Sequence, residues 1–191
     1  MEKIMEREAA WELLLKHTKS ESLKTHAKSV SAAMAHFAKL FNEDDNYWAL
    51  VGLLHDIDYE EHPHEHCQFA PAILKEAGFD DDFIRAVLSH GYGLCTEVEP
   101  QLKMEKVIYA VDELTGFITA CALMRPSKSV MDLEYKSVNK KFKTASFASN
   151  INRDVIKNGA AMIPMDFEEF VTETIYALRE VADEIGLGLE A

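Results

Sequence analysis

Six side chains of metal-ligating types recur along the first two thirds of the chain. In order, they are His26, His55, Asp56, His66, His90 and Asp112. Imidazole and carboxylate together suit borderline divalent ions such as Fe, Mn, Zn, Co or Ni. The His55–Asp56 doublet follows the apolar run 49–54, and Asp112 interrupts another apolar stretch. Because buried ionised groups without partners cost several kcal/mol, the pattern predicts that these side chains are paired with one another or bind a metal.

The elements that must position these side chains are helices. Apolar residues recur at helical spacing over nearly the whole chain. The spacing predicts helices over about 2–17, 23–41, 47–54, 65–77, 80–90, 102–124, 131–143, 152–159 and 166–185. No alternating apolar pattern reaches five residues, so we expect one all-α domain over 1–191, with about five to six core helices and further C-terminal helices. The six ligand-type residues fall on core-facing or terminal positions of five successive helices.

The order of these residues, with the doublet in LLHDIDYEEH, resembles the HD-domain metal-dependent phosphohydrolases. The resemblance covers about residues 20–125, with 126–191 as a C-terminal helical extension. It implies an HD-domain helical bundle in which one ion is held by four ligands, namely His26, His55, Asp56 and Asp112.

Two additional histidines match the HD proteins that bind two metals: His66 in HEHCQFA and His90 in VLSHGYG. The layout is similar to that of bacterial HD proteins that hydrolyse diadenosine tetraphosphate, and to that of di-iron HD oxygenases. In a two-ion arrangement, His66 and His90 would hold the second ion and Asp56 would bridge. In a one-ion arrangement they would contact phosphate or donate a proton. The resemblance therefore implies one or two divalent ions and leaves the number open.

One residue departs from the family signature HDIG: Asp58 stands where that signature has Gly. The HDIGK-type lysine and the GYP loop are also absent, which weakens any analogy to cyclic-dinucleotide phosphodiesterases. Asp58 is a candidate catalytic residue that would act on a substrate proton. Its alternative role is a hydrogen bond to a ligating imidazole.

The net charge limits the partners that the protein can bind. With 33 acidic and 20 basic residues, the formal charge is −13, which disfavours long nucleic acid and anionic membrane surfaces. The segment 125–143 departs from this background with six basic and two acidic residues. From it we predict four substrate-binding side chains, which would contact the phosphates of a small anionic substrate: Arg125, Lys128, Lys136 and Lys140.

The remaining signals concern the compartment. Three widely spaced cysteines argue against a disulfide framework and a thiolate zinc site. The N-terminus lacks the pattern of a signal peptide, and the run 114–124 is too short to span a membrane. We therefore expect a cytoplasmic protein, and the sequence leaves homo-oligomerisation open.

Three functions are compatible with this sequence. The first is a metal-dependent phosphohydrolase that acts on a nucleotide or another small phosphoester through a metal-activated water. The alternatives are a di-iron HD-type oxygenase that cleaves a C–C or C–P bond, and a non-catalytic nucleotide-binding HD module.

Overall fold

The computed structural model describes residues 6–189, and within that range the chain forms helices and no β-strand. In chain order they are α1 (Arg7–His17), α2 (Glu21–Leu40), α3 (Asp45–Leu54), α4 (Ala70–Glu76), α5 (Asp81–Ser89), α6 (Lys103–Leu123), α7 (Tyr135–Phe142), α8 (Arg153–Ala161) and α9 (Phe167–Glu180). The predicted all-α fold is confirmed. The first five residues of the chain, where the first predicted helix would begin, lie outside the described residues.

Side-chain caps explain where four of these helices begin. The caps, each accepting a hydrogen bond from a first-turn backbone N–H, are Asp44 of α3, Asp80 of α5, Asn152 of α8 and Asp166 of α9. Asp and Asn are preferred at this position because the side-chain oxygen satisfies an N–H that the helix leaves unpaired.

The helices α2 and α6 form the centre of the bundle. Helix α2 packs against α3, α6 and α9, and α6 also contacts α5 and α8. Gly52 permits the close approach of α3 to α2, because a Cβ there would lie 2.9 Å from the carbonyl oxygen of Val30. This packing fixes the C-terminal end of α3, where His55 follows, beside the α2 stripe that carries His26.

The C-terminal helices complete the same hydrophobic core. The ring of Phe170 in α9 lies 5.4 Å from that of Phe37 in α2. In α8, Gly159 packs so tightly on α6 that a Cβ would lie 2.6 Å from the Cβ of Ala110. The residues beyond α6 therefore pack on the two central helices.

A loop between α7 and α8 is held by one arginine. The guanidinium group of Arg153 donates hydrogen bonds to five backbone carbonyl oxygens, those of Phe142, Thr144, Phe147, Ala148 and Ile151. The same group lies 5.0 Å from the centre of the Phe117 ring of α6. Residues 143–151, which we call the wall loop, are thus fixed against α6.

The prediction that a helix spans 65–77 is wrong at its beginning, because α4 begins at Ala70 and His66 lies in a turn. The backbone of Cys67 has a left-handed φ of 69°, which a helix does not allow. The helix predicted over 166–185 ends early, at Glu180, and the one predicted over 131–143 begins late, at Tyr135; the other predicted bounds within the described residues agree to about two residues. No helix in the range 6–189 has both the length and the apolar character that crossing a bilayer requires.

Candidate metal centre

The six ligand-type residues predicted from the sequence meet at one place in the bundle. His26 of α2 faces α6, and its Nε2 lies 2.9 Å from Oδ1 of Asp112. His55 and Asp56 follow the end of α3, and His90 follows the end of α5. His66 approaches from the turn before α4, with its Nε2 3.0 Å from Nε2 of His90.

The carboxylate of Asp56 lies between two sets of imidazoles. Its Oδ2 is 3.3 Å from Nε2 of His55 and 3.8 Å from Nε2 of His26. Its Oδ1 is 3.2 Å from Nε2 of His66 and 3.5 Å from Nε2 of His90. Each oxygen of this one side chain therefore faces a different pair of histidines.

The donor atoms are close enough together to hold a metal ion. The ligand atoms lie within 4.8 Å of one another in each of three groups, which are His26, His55 and Asp112; His55, Asp56 and His90; and His66, Cys67 and His90. His55 adds a further indication: its Nε2 is buried and forms no hydrogen bond of regular geometry, although carboxylate oxygens of Asp56 and Asp112 lie 3.3 and 3.4 Å away. A buried imidazole nitrogen rarely stays unpaired, and a divalent cation at this position would satisfy it.

In three of the histidines, a hydrogen bond made by Nδ1 fixes the direction in which Nε2 points. Nδ1 of His55 donates to the carbonyl oxygen of Gly52 over 2.8 Å, and Nδ1 of His90 donates to that of Val87. Nδ1 of His66 donates to Asp58. Since Nδ1 carries the proton in each ring, Nε2 is directed at the shared centre, as metal-binding histidines require.

Asp58 is fully buried and accepts four hydrogen bonds. Its Oδ1 accepts from Nδ1 of His66 at 2.8 Å and from the backbone N–H of Cys67 at 3.2 Å. Its Oδ2 accepts from the backbone N–H groups of Phe69 and Ala70, at 3.0 and 2.8 Å. This geometry matches the alternative in which Asp58 orients an imidazole. Its direct catalytic role remains a prediction.

The carboxylates and imidazoles of the donor set shift one another's pKa values. Burial disfavours the protonation of His55, but the carboxylates of Asp56 and Asp112 outweigh burial and raise its pKa well above the usual value. For His66, burial is likewise outweighed by hydrogen bonds to Asp56 and Asp58, which raise its pKa to about 10. Burial would raise the pKa values of Asp56 and Asp112, yet the facing imidazoles hold both well below the ordinary range. A cation that binds here must therefore displace protons.

Two cysteines lie beside this centre, and sequence reasoning did not place them there. Sγ of Cys67 is 2.7 Å from Sγ of Cys95, and both are free thiols. A side chain at Gly91 would overlap Cys95, so the absence of a Cβ makes room for the pair. The hydrogen bond from Cys67, with the nearby charges of His90 and His66, lowers the pKa of Cys95 to about 6. The adjacency of Cys67 to His66 was the available signal.

A cavity of about 850 Å³ opens above the donors. His26, Asp56, His66, His90 and Asp112 line its floor. Its sides come from α2, the end of α6, the turn after α5 and the wall loop. The volume is that of a small-molecule site, and the donors are accessible from it.

Glu113 is a second group in the cavity that the sequence analysis missed. It follows Asp112 and lines the cavity wall, and its carboxylate accepts the backbone N–H of Asn152 at 3.2 Å. Burial and the negative charge of Asp112 raise its pKa above the usual range. Nothing in the local sequence distinguished this glutamate from exposed ones, because its burial depends on the packing of α8.

The four predicted substrate-binding residues do not reach the cavity: among residues 6–189, its lining contains no Lys or Arg. Arg125 instead forms two hydrogen bonds with Asp132, both 2.8 Å long. The turn after α6 is tied to the C-terminal segment, since the backbone N–H of Val130 donates to Leu187. For Arg125, Lys128, Lys136 and Lys140, contact with substrate stays a prediction that the cavity lining does not support.

The structure is an all-helical bundle with one shared His/Asp centre that could hold a metal ion. A family model described as HD domain matches residues 23–116. Residues 23–116 are therefore an HD domain, as the sequence analysis predicted from the resemblance. Searches of curated proteins and of solved structures found no match. The wall loop and helices α7–α9 lie outside the matched segment.

Proposed function

We propose that this protein is a metal-dependent phosphohydrolase that acts on a small phosphoester. The observation that carries the proposal is the position of Asp56, whose two oxygens face two different histidine pairs at 3.2–3.8 Å. A carboxylate in that position suits a bridge between two divalent cations. The matched HD domain supports the same chemistry at the level of the family.

In the two-ion form of this proposal, the donors would divide as follows. His26, His55 and Asp112, with one oxygen of Asp56, would hold the first. His66 and His90, with the other oxygen of Asp56, would hold the second. When bound, such cations lower the pKa of a coordinated water and neutralise charge on the phosphoryl group. If only one ion binds, His66 and His90 are left to contact phosphate.

The chain's own residues keep this donor set in place. Gly52 and Val87 fix the rings of His55 and His90 through their carbonyl oxygens, and Asp58 fixes that of His66. These partners leave the metal-facing nitrogens little freedom to rotate, so little side-chain entropy is lost when a cation binds.

Metal analysis combined with a phosphate-release assay tests the proposal. Protein purified without chelator should contain about two equivalents of divalent metal, and a His66→Ala/His90→Ala variant about one. His55→Ala should lose both phosphate release and most of the metal. The matched control is His36→Ala, a histidine of α2 that pairs instead with Glu173, 2.7 Å away. No phosphate release by metal-loaded protein from a broad panel of phosphoesters would contradict the proposal.

The second candidate is a di-iron oxygenase, which the two-sided position of Asp56 also suits. It requires about two irons per chain and oxygen consumption that depends on substrate. Phosphate release supported by zinc or manganese alone, without oxygen uptake, would exclude it.

A further inference from the structure

The cavity above the metal centre has mostly apolar walls. Six aliphatic or phenyl side chains line it, namely Leu23, Leu94, Leu123, Met124, Phe147 and Ile151. They come from α2, the turn after α5, the end of α6 and the wall loop, so four separate segments each contribute apolar surface. The floor, by contrast, carries the polar donors of the metal centre.

Three of these side chains are exposed although they are apolar. Leu94 is 60% exposed, Leu123 51% and Met124 64%. Single exposed apolar residues are ordinary, but a group of them around one cavity marks a place where a ligand covers apolar surface. An apolar ligand in this cavity would remove all three from water at once.

The charge of the walls limits what else can bind. Among the described residues 6–189, the lining contains no Lys or Arg, and its acidic side chain outside the donor set is Glu113. Polyphosphate groups are normally bound by Arg and Lys through charge-assisted hydrogen bonds. Only a phosphate in contact with the metal centre would find its charge compensated here. Any further phosphate along the walls would face mostly apolar groups, Glu113 and the uncharged polar side chains of Tyr59, Thr119 and Asn150.

We propose that the substrate is a phosphomonoester of an apolar alcohol, with its phosphate at the metal centre and its hydrocarbon body against the walls. This inference rests on the proposed function and narrows its substrate class. In the reaction, the bond between phosphorus and the ester oxygen breaks and a bond from phosphorus to a water oxygen forms. The alcohol leaves with one proton of that water, and inorganic phosphate is the second product.

The first test compares two esters of matched chemistry. Cyclohexylmethyl phosphate and glucose 6-phosphate are both phosphates of a primary alcohol next to a six-membered ring, and they differ mainly in the polarity of the ring. For metal-loaded protein we expect kcat/KM to be at least about tenfold higher for cyclohexylmethyl phosphate, because its ring buries apolar surface against apolar walls. Equal or higher kcat/KM for glucose 6-phosphate, AMP or ATP would overturn the inference and leave the hydrolase function standing.

Variants at the rim test whether the walls cause the preference. Met124→Lys should reduce the preference for the cyclohexylmethyl ester several-fold, because it replaces apolar surface by a cation. The matched control is Met131→Lys, at a methionine that is 41% exposed and does not line this cavity. The control should leave the preference unchanged, and an equal effect of both variants would contradict a role of the walls.

A binding measurement separates the inference from the activity. By calorimetry on metal-loaded protein, cyclohexylmethylphosphonate, which cannot be hydrolysed as an ester, should bind at least about tenfold more tightly than methylphosphonate. If neither ester is hydrolysed, the hydrolase function fails, and this comparison still tests whether the cavity walls bind an apolar ligand. Tighter binding of the cyclohexylmethyl compound then supports apolar walls as the ligand site, and equal binding overturns it.

Discussion

Replacement of Asp58 by Asn removes half of the acceptor capacity of a fully buried carboxylate. Asp58 accepts two hydrogen bonds on each oxygen, from His66 and Cys67 on one side and from Phe69 and Ala70 on the other. Asn has only one acceptor oxygen, so its NH₂ group must face two donors. Hydrogen bonds to charged groups contribute about 1.5–3 kcal/mol each, so the loss of two costs at least about 3 kcal/mol.

The assay is thermal unfolding of the metal-free protein in the presence of a chelator. For a chain of this size, about 3 kcal/mol corresponds to a fall in Tm of about 6–12 °C. Asp166→Asn is the matched control, because Asp166 caps α9 by accepting one bond from the N–H of Glu169. Asn caps a helix about as well as Asp, so the control should change stability by less than about 0.5 kcal/mol. An Asp58→Asn variant that unfolds at the wild-type temperature would refute the reasoning.

The same variant should weaken the binding of one of the two ions of the proposed centre. Without the carboxylate of Asp58, the ring of His66 loses the group that orients it, and loss of such a partner costs about 10–100-fold in metal affinity. We expect this loss of affinity for the ion that His66 would hold, while the affinity for the ion that His26 and Asp112 would hold stays unchanged. Titration with Mn²⁺ should therefore resolve one weakened and one unchanged binding event. Equal weakening of both would indicate general loosening of the fold.

Three further predictions concern pH and packing. Because the pKa values of His55 and His66 are raised, their stabilising contribution is complete below the unfolded value, about 6.5, and is lost as pH rises toward the folded values. Metal-free protein should thus be less stable at pH 9 than at pH 6, whereas metal affinity should rise with pH, with protons released on binding in calorimetry. A metal affinity independent of pH would contradict this. Gly159→Ala should destabilise the protein by about 1–3 kcal/mol because the new Cβ overlaps α6, and Gly116→Ala, whose Cβ would have its nearest neighbour at 3.7 Å, should stabilise it by about 0.5–1 kcal/mol in denaturant titrations. A change in stability of the same sign in both variants would disprove the packing argument. Glu113→Gln should raise the Tm of metal-free protein at pH 7 but not near pH 4, because a carboxyl group with a raised pKa destabilises the fold only once it is ionised. An equal rise in Tm at both pH values would show that the effect comes from packing and not from the charge of Glu113.

Helical spacing was sufficient to predict most donors of the centre, whereas His66, which lies in a turn, was predicted from the resemblance to two-metal HD proteins. His26 is on an apolar stripe, Asp112 interrupts an apolar helix, and His55 and His90 close apolar runs. Each position therefore had to face the core or a helix end, and helix ends in a small bundle lie close together.

Features that depend on contacts between distant segments could not be predicted. Helix α4 begins only at Ala70, where Asp58 accepts the backbone N–H groups of Phe69 and Ala70, and the left-handed φ of Cys67 interrupts the helix before it. The segment after α6 turns toward the C-terminus rather than the cavity, because Val130 and Ser129 bond to Leu187. Neither contact has a local signature in the sequence.

The hold of Arg153 on the wall loop has a consequence for how this protein can diverge. All five of its bonds go to backbone carbonyl oxygens, which every residue type possesses. The path of the loop is thus largely independent of which side chains it carries, apart from the rings that pack inward. Positions such as Asn150, which line the cavity, are free to change without loss of the scaffold. Substitutions at the wall loop can therefore change part of the cavity wall while the buried donors stay constant.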